Sequence, residues 1–379
     1  MNYFYDYLLE NKIDFNNIYQ SLSLYDQSAK ERDIIDILDK ESIKLNDFFI
    51  LLSEKSNQFL VQIAKKARDL TIQRFGKIIN FYVPLYLSNE CENVCSYCGF
   101  NAGRSFKRVT LTEKEIEEEL IYLKNIGFDS ILLLTGESRE KAPLEYIKNA
   151  VQMAKNYFTY VGLEIYPMDE EEYRLLVESG ANGLTIYQET YNPEIYDRVH
   201  IRGKKKDYKY RLNTPDRAMI AGFRKVGIGA LLGLYDWRYE AIAIAFHIDY
   251  LRKRYWQQEI TLSFPRINPV SPSYKIPYPV SDRNFVKMMS LLRILYPDIG
   301  FVLSTRERAE LRDRLINLCI TQISAGSKTS PGGYKLKEDN EGQFDVSDKR
   351  NLKDMIKVVQ NYGYCPVIKD WDINFKGVY

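Results

Sequence analysis

Three cysteines stand close together after an apolar segment, in the sequence LYLSNECENVCSYCGFN. Cys91, Cys95 and Cys98 follow the spacing C-x3-C-x2-C, and most residues around them are polar. Structural zinc takes four protein ligands and ferredoxin-type clusters take four cysteines, so three neighbouring thiolates leave one coordination position open. An open position is typical of a catalytic metal. A structural zinc protein and a non-catalytic iron–sulfur carrier are the alternatives.

The remaining cysteines and the histidines supply no further ligand near this group. Cys319 and Cys365 lie far along the chain, and an odd, unevenly spaced set of cysteines does not indicate a disulfide framework. His200 and His247 are too few for a histidine-rich metal site. The apolar neighbours of His247, AIAIAFHIDYL, predict that it packs within a helix rather than contacting a substrate.

The composition argues against several classes of protein. The 379 residues include 53 basic and 51 acidic side chains, for a net charge of +2, whereas nucleic-acid-binding proteins usually carry a strong basic excess. No apolar run approaches the ~18 residues of a membrane span. Asp6 and Glu10 lie where a signal peptide would be positively charged. We therefore expect a soluble, cytoplasmic protein.

Short apolar runs rich in β-branched and aromatic residues predict eight strands. These runs are Ile78–Leu87, Ser130–Leu134, Gly162–Tyr166, Gly183–Tyr187, Val226–Leu234, Ile260–Pro265, Ile299–Ser304 and Cys319–Ser324. Helical patterns separate them, at Leu111–Ile126, Glu145–Tyr157, Asp169–Glu178, Pro215–Val226, Trp237–Arg254, Asp282–Leu295 and Arg306–Leu318. Strands that alternate with helices pair in parallel, and eight units over about 250 residues favour a (β/α)8 TIM-type barrel. A doubly wound open sheet is the alternative.

The barrel is predicted over residues 77–325. A charged, helical N-terminal extension is predicted over residues 1–76, where Asn57 is the expected cap of a helix that begins at Gln58. The sequence SAGSKTSPGGY leads into a C-terminal extension, residues 326–379, that is expected to pack on the barrel. Because the three cysteines directly follow the first strand, they belong at the C-terminal face of the barrel, where active sites are built.

The cysteine pattern resembles the signature of the radical S-adenosylmethionine superfamily, C-x3-C-x-aromatic-C, with Tyr97 in the aromatic position. In that superfamily three cysteines hold a [4Fe–4S] cluster, and the amino and carboxylate groups of S-adenosylmethionine chelate the fourth iron. The resemblance therefore implies that Cys91, Cys95 and Cys98 hold a [4Fe–4S] cluster, and that S-adenosyl-L-methionine is the second cofactor.

A longer resemblance, from about residue 70 to VIKDWD, is to the aromatic amino acid lyase branch of this superfamily. It rests on RFGKIINFYVPLYLSNECENVCSYCGF, LLLLTGE, TIYQETY, TPDRAMIAG, GLYDW, SFPR, LSTRE and QISAGSKTSPGGY. The branch includes tyrosine lyases of thiamine thiazole biosynthesis and of hydrogenase cofactor maturation. The maturation lyase carries another cysteine-bound cluster in a C-terminal extension, and here only Cys365 lies beyond the predicted barrel. The thiazole lyase is therefore expected, with the maturation lyase, which GLYDWRYE resembles more closely, as the alternative.

This resemblance implies that the protein cleaves the Cα–Cβ bond of L-tyrosine to 2-iminoacetate (dehydroglycine) and p-cresol. A radical derived from S-adenosylmethionine would take a hydrogen atom from the tyrosine amino group. The resemblance also implies a thiazole synthase as product acceptor and a flavodoxin-type electron donor. The basic run RGKKK at residues 202–206 is expected to form a solvated loop, with a docking surface for an acidic donor as the alternative.

The resemblance finally implies roles for polar residues at the predicted strand ends. The residues expected at S-adenosylmethionine, besides Tyr97, are Thr135, Gly136, Glu137, Glu164, Gln188, Glu189 and Arg217, the last as a partner of the cofactor carboxylate. The expected anchor of the tyrosine carboxylate is Arg306, because a guanidinium holds a carboxylate through two parallel hydrogen bonds. Ser304 and Ser324 are expected to add hydrogen bonds there.

Overall fold

The computed structural model describes residues 3–268, 274–337 and 340–369. Three parts of the predicted extensions lie outside the described residues. These are residues 1–2, residues 338–339 and residues 370–379, the last of which include the end of the VIKDWD segment.

A closed barrel of parallel strands forms the centre of the protein. The strands of the described residues are β1 (Ile78–Ser88), β2 (Val94–Cys95), β3 (Ser130–Thr135), β4 (Tyr160–Glu164), β5 (Gly183–Thr185), β6 (His200–Arg202), β7 (Lys225–Gly229), β8 (Glu259–Ser263), β9 (Gly300–Leu303), β10 (Gln322–Ser324) and β11 (Cys365–Val367). The order β1-β3-β4-β5-β7-β8-β9-β10 closes on itself because β10 pairs with β1. The predicted (β/α)8 barrel is confirmed, and the open sheet is wrong. Outside the barrel, β11 adds to β1, and β2 pairs with β6.

Helices precede the barrel and surround it. The N-terminal helices are α1 (Phe4–Glu10), α2 (Phe15–Ser28), α3 (Glu31–Asp39), α4 (Leu45–Leu52) and α5 (Leu60–Phe75), with a 3-10 helix at Glu54–Phe59. The later helices are α6 (Glu113–Asn125), α7 (Leu144–Lys155), α8 (Glu170–Glu178), α9 (Pro193–Val199), α10 (Tyr208–Leu212), α11 (Thr214–Ala221), α12 (Trp237–Arg254), α13 (Asp282–Leu295), α14 (Ala309–Ile316) and α15 (Leu352–Asn361), with a 3-10 helix at Lys204–Lys206. Within the described ranges, no helix combines the length and apolar character that a membrane span requires.

Local sequence signals explain where the helices of the barrel begin and end. Thr112 caps α6 by accepting a hydrogen bond from the Glu115 amide, and the Glu115 carboxylate accepts one from the Thr112 amide. Gly222 ends α11 with a φ of +100°, a conformation that favours glycine. The predicted bounds of α12 and α13 are confirmed. Such signals act over a few residues, so the sequence alone predicts them.

The N-terminal extension is helical, as predicted, but the expected cap at Asn57 is wrong. Asn57 lies inside the 3-10 helix, and α5 begins at Leu60. The Asn57 side chain accepts a hydrogen bond from the Lys287 ammonium, 2.8 Å away on α13. A tertiary contact between two distant helices therefore takes the oxygen that the local pattern assigned to capping.

A segment of the C-terminal extension crosses the C-terminal face of the barrel. We call residues 340–348 the strap. It is attached to the loop after β9, where the Ser347 amide donates to the Thr305 carbonyl at 3.0 Å, and to the cysteine loop, where the Gly99 amide donates to the Gln343 carbonyl at 3.0 Å. A fully buried ion pair between Arg312 and Asp348 holds its end. The strap therefore covers part of the face that carries the cysteines.

Candidate active site

The three cysteines lie in the loop after β1, at the C-terminal face of the barrel. Cys95 is buried within β2 and is paired across the two-stranded sheet with His200. Cys91 and Cys98 are half-buried. The short sheet therefore holds the cysteine loop against the polypeptide that follows β5.

The thiols are shielded from water, and this sets their protonation. Burial raises the pKa of all three, that of Cys98 to about 11. Lys205 acts on each in the opposite direction, toward a lower pKa. Because metals bind thiolates, occupation of this site by a metal releases protons.

The donor chemistry of the loop fits an iron–sulfur cluster. The backbone amides of Asn93 and Glu137 act to lower the pKa of Cys91, and the amide of Phe100 acts in the same way on Cys98. Amide donors to cysteine sulfur are a recognised influence on such clusters. No three His, Cys, Asp or Glu side chains of the described residues are arranged around a single metal ion. The cysteine ligands of a four-iron cluster bind different iron atoms, so they do not have to meet at one point.

A buried network of four charges lies beside the cysteines. The Arg211 guanidinium is 2.9 Å from the Glu137 carboxylate, and the Lys205 ammonium is 2.8 Å from that of Glu189. Cross-contacts of 3.7 Å, from Lys205 to Glu137, and 3.5 Å, from Arg211 to Glu189, join the two pairs. Burial alone would raise the pKa of both carboxyls, but the two cations outweigh it and lower both pKa values. Both acids are therefore ionised at neutral pH.

The basic run at residues 202–206 is only partly a solvated loop. Lys206 is exposed and pairs with Asp197, as a solvated residue would. Lys205 points inward, with 13% of its side chain exposed, and supplies half of the positive charge in the network. The expectation of a solvated loop is therefore wrong for Lys205, because two buried carboxylates in other parts of the chain require a cation there.

Asn93 connects the network to the cysteine loop. Its side-chain amide donates to Glu137 at 2.9 Å, and its carbonyl oxygen accepts from the Lys205 backbone amide at 3.0 Å.

The backbone of Glu189 has a φ of +70°, which is strained for a residue with a side chain. Such strain persists only where surrounding contacts hold it, and it is common at functional sites. A cavity of about 600 Å³ opens beside Asn93 and Glu137.

Tyr97, in the aromatic position of the motif, is fixed by His200. The phenol oxygen is 2.8 Å from Nε2 of His200, whose Nδ1 is 2.8 Å from the Tyr196 carbonyl oxygen. Burial, reinforced by Lys205, lowers the pKa of His200 to about 2, so the ring is neutral. Because a carbonyl only accepts, Nδ1 carries the proton and the Tyr97 hydroxyl donates to Nε2.

The segment Thr135-Gly136-Glu137 begins at the last residue of β3 and touches the cysteine loop. The Gly136 amide donates to the Ser88 carbonyl at 2.8 Å. A Cβ atom on Gly136 would lie 2.1 Å from the Glu90 carbonyl oxygen, so only glycine permits this approach. The Thr135 hydroxyl is buried and has no hydrogen-bond partner within the described residues. This segment brings the Glu137 carboxylate to the network.

A second group of polar residues lines the mouth of the barrel. Glu164 ends β4, and burial raises its pKa to about 7 although Arg306 acts to lower it. Glu164 and Arg306 also influence the titration of Tyr82, Tyr86 and Tyr187, whose pKa values burial raises. The mouth therefore combines an arginine, a carboxyl that titrates near neutrality, and three neutral phenols.

The strap completes this mouth. Phe344 lies under Arg306, with the guanidinium carbon 3.4 Å from the ring centroid. The Tyr86 hydroxyl donates to the side-chain oxygen of Gln343 at 2.7 Å. Ser304 accepts from the Arg306 amide at 3.4 Å, and the register of β1 with β10 sets Ser324 beside Tyr82.

Two of the expected cofactor residues have other contacts. The Arg217 guanidinium donates to the Met168 and Tyr210 carbonyls, both at 2.8 Å, and to the Thr214 hydroxyl at 2.9 Å. The structure therefore does not join Arg217 to the charge network, in which Arg211 takes part instead. Gln188 is buried, and its side-chain amide is 3.5 Å from the Tyr208 carbonyl.

Sequence reasoning missed Lys205, Arg211, Asn93 and the strap residues Gln343 and Phe344. One signal was available for the cations. A glutamate predicted at a buried strand end needs a compensating cation, and the stretch after β5 holds several basic residues. No signal identified the strap, because its contacts depend on where the C-terminal extension crosses the barrel.

Two family models and several known proteins match this chain. Residues 85–244 match the family model described as the radical SAM superfamily, and residues 263–365 match the one described as the biotin and thiamin synthesis associated domain. The chain is 40% identical over 341 residues to 2-iminoacetate synthase of Escherichia coli (strain K12), which covers 90% of each chain.

Solved structures of two known proteins share this fold. HydG, a maturase of the [FeFe]-hydrogenase, superimposes with a TM-score of 0.89 and 32% sequence identity, over 94% of this chain and 80% of that one. Methylornithine synthase (PylB) superimposes with a TM-score of 0.69 over 92% of this chain and 100% of that one. Its 23% identity supports likeness of fold alone.

Proposed function

Because the chain belongs to the 2-iminoacetate synthase family of the radical S-adenosylmethionine superfamily, we propose that it cleaves the Cα–Cβ bond of L-tyrosine. The products are 2-iminoacetate and p-cresol, and the first, also called dehydroglycine, is a precursor of the thiamine thiazole. The protein is therefore a carbon–carbon lyase. The observation that carries this proposal is the 40% identity to a curated 2-iminoacetate synthase over 90% of both chains.

The cofactors are a [4Fe–4S] cluster and S-adenosylmethionine, as in the superfamily to which the chain belongs. We assign the cluster to Cys91, Cys95 and Cys98. When bound, these two groups supply the radical chemistry of the reaction. The protein contributes position, charge and the exclusion of water.

The charge network is our candidate for contacts with S-adenosylmethionine. Glu137 and Glu189 are ionised and lie at the C-terminal face, so they suit its ammonium and ribose hydroxyl groups. Lys205 and Arg211 suit its carboxylate. We propose that Arg211 takes the role expected of Arg217, because its guanidinium is already paired with Glu137 at 2.9 Å. Thr135, Gly136, Glu164, Gln188 and Tyr97 complete this set of candidates.

The mouth of the barrel is our candidate site for tyrosine. Arg306 anchors the carboxylate, and Ser304 and Ser324 add hydrogen bonds. Glu164 lies within the electrostatic reach of Arg306 and has a pKa of about 7, so it exchanges protons near neutral pH. It is therefore our candidate to hold a proton during the reaction. Phe344 covers Arg306 and keeps water from the anchored carboxylate.

Product analysis tests the proposed function. The protein is reconstituted anaerobically with iron and sulfide, then supplied with dithionite, S-adenosylmethionine and tyrosine. We expect p-cresol together with glyoxylate and ammonia, which 2-iminoacetate yields on hydrolysis. Release of deoxyadenosine without p-cresol, in the presence of tyrosine, would contradict the assignment of the substrate.

A second candidate is a tyrosine lyase that serves hydrogenase cofactor maturation. The TM-score of 0.89 with HydG supports this second candidate. The same turnover separates the two, because that reaction continues to carbon monoxide and cyanide. We expect neither product, and either one in amounts comparable with p-cresol would favour the second candidate.

An electron donor and a product acceptor complete the proposal. Arg202, Lys204 and Lys206 are exposed, and so is Ile201, with 58% of its surface accessible. They lie on or beside β6, which pairs with the strand that contains Cys95. A flavodoxin-type donor, whose surface is acidic, suits this basic patch and its short path to the cluster site. A thiazole synthase is our proposed acceptor of 2-iminoacetate.

A further inference from the structure

The chain that leaves β5 is irregular where it enters the candidate cofactor site. Glu189 has a left-handed backbone, with a φ of +70°, and such a conformation costs on the order of 1–3 kcal/mol for a residue with a side chain. Its carboxylate nevertheless lies 2.8 Å from Lys205. Contacts elsewhere must therefore hold this backbone in place.

Glu240 of α12 supplies two of these contacts, in addition to the hydrogen bond from the Leu231 amide to the Glu189 carbonyl at 2.8 Å. One carboxylate oxygen accepts from the Thr190 hydroxyl, and the other accepts from the Tyr191 backbone amide at 2.9 Å. Glu240 is 1% exposed and Thr190 is fully buried. One carboxyl thus holds the two residues that directly follow Glu189, and it satisfies an amide that would otherwise be buried without a partner.

Two further hydrogen-bond contacts, with His247 and Tyr208, hold Tyr191 in place. Its phenol oxygen is 2.8 Å from Nδ1 of His247, and its carbonyl accepts from the Tyr208 hydroxyl at 2.8 Å. The His247 ring stacks flat on Phe4 of α1, with ring centroids 4.0 Å apart and planes within 2°. His247 is therefore a buried residue of α12 with a packing role, as its apolar neighbours predict. Phe4 of the N-terminal extension covers its ring.

We propose that Glu240 is a positioning residue for the S-adenosylmethionine site: by holding Thr190 and Tyr191, it sets the backbone that aims Glu189 at Lys205 and Arg211. The inference rests on the proposed function, because that function assigns Glu189 to the cofactor. Glu240 itself has no part in the charge network and acts only through the chain.

Asp216 is a matched control with the same chemistry that bonds to neither Thr190 nor Tyr191, although the Phe4 amide it binds belongs to the residue that stacks on His247. It is a fully buried carboxyl on α11 that accepts from one backbone amide, that of Phe4 at 3.1 Å. It also accepts from the hydroxyls of Tyr250 and Tyr255, both at 2.7 Å. Its loss takes the acceptor from the buried Phe4 amide, as loss of Glu240 takes it from the Tyr191 amide, but Asp216 bonds to no residue of the charge network.

The test measures the affinity of the reconstituted holoenzyme for S-adenosylmethionine, from its effect on the EPR spectrum of the reduced cluster. Iron content and the midpoint of thermal unfolding are measured in parallel. For Glu240→Met we expect the apparent Kd to rise roughly tenfold or more, as with other residues that orient ligands, while iron content is retained. Glu240→Gln should stay within about twofold, because its amide offers an oxygen to Tyr191 and a donor to Thr190. Asp216→Leu should lower the unfolding midpoint and leave the Kd unchanged.

Glu189→Ala separates this inference from the function on which it rests. If Glu189→Ala weakens binding but Glu240→Met does not, the positioning role is overturned and the cofactor site stands. If wild-type protein shows no spectral response to S-adenosylmethionine, the proposed function fails and the inference fails with it. Should Glu240→Met not fold, Thr190→Val removes one of the two bonds, and an unchanged Kd for that variant also overturns the positioning role.

Discussion

The guanidinium of Arg306 stacks on the ring of Phe344, with the guanidinium carbon 3.4 Å from the ring centroid. Arg306 follows β9, whereas Phe344 belongs to the strap, so the contact joins the barrel to the segment that crosses its mouth. Stacking uses the flat face of a guanidinium and leaves its in-plane N–H groups to a carboxylate. The strap therefore orients the proposed anchor of tyrosine.

Arg306→Ala should impair the use of tyrosine and leave the cofactor site intact. Removal of one partner from a desolvated charge pair costs about 2–5 kcal/mol, or roughly 30- to 3,000-fold in the KM for tyrosine. Arg306→Lys should also be impaired, because an ammonium cannot form the paired hydrogen bonds. Rates of p-cresol formation at varied tyrosine concentration measure the effect. A near-normal KM for Arg306→Ala would place the anchor elsewhere, provided that the spectral response to S-adenosylmethionine is retained.

Lys205→Met should weaken binding of S-adenosylmethionine, because it leaves two buried carboxylates with one cation. Breaking a buried pair in this way costs about 3–5 kcal/mol, which can appear as lost binding or as lost stability. Both are measured, by titration of the reduced cluster and by thermal unfolding. Lys206→Met is the matched control, since the neighbouring lysine is 44% exposed and pairs only at the surface. If the two variants have the same affinity for S-adenosylmethionine and the same unfolding midpoint, Lys205 contributes no more to the cofactor site than a solvated lysine does.

Replacement of Cys91, Cys95 or Cys98 by alanine should abolish formation of deoxyadenosine, because the three ligands act as one unit. Wild-type protein should hold about four irons after anaerobic reconstitution, the content of one [4Fe–4S] cluster. Cys319→Ala and Cys365→Ala serve as controls and should retain this iron. Loss of the cluster from Cys365→Ala would refute the assignment of three ligands.

Lys287 should make the stability of the protein depend on pH. It is 1% exposed and donates to the Ser53 carbonyl and the Asn57 side chain, both at 2.8 Å. Burial lowers its pKa from 10.5 to about 7. Between these values the unfolded chain binds more protons than the folded one, so the contribution of Lys287 to stability rises with pH and is lost as pH falls toward 7.

Lys287→Met should remove that contribution. The free energy of unfolding of cluster-free protein, measured with urea at pH 7 and pH 9.5, should rise less with pH in the variant than in wild-type protein. Lys206→Met, which removes an exposed charge, should follow wild-type protein. An unchanged difference between the two pH values in Lys287→Met would show that this lysine does not titrate as described.

Local patterns were enough for the catalytic loop and for the fold class. The spacing of Cys91, Cys95 and Cys98 places three thiols on one short loop in any fold. Alternation of apolar runs with helical segments implies parallel strands, because each crossover helix returns the chain to the same end of the sheet. Caps such as Thr112 act within one turn, so they were predictable. The resemblance to a known branch supplied the cofactors and the substrate.

Contacts between distant segments were not encoded in any local pattern. Lys205 belongs to a basic run that looks solvated, and only closure of the barrel brings it to Glu137 and Glu189. The same holds for the choice of Arg211 over Arg217, since the two arginines lie on different helices, α10 and α11, and Arg211 is the one that reaches the buried acids. Glu240 lies 50 residues from Thr190 and touches it only because the fold brings α12 against the chain that follows β5. Burial makes each of these contacts necessary, because a charge or an amide removed from water must have a hydrogen-bond or ion-pair partner.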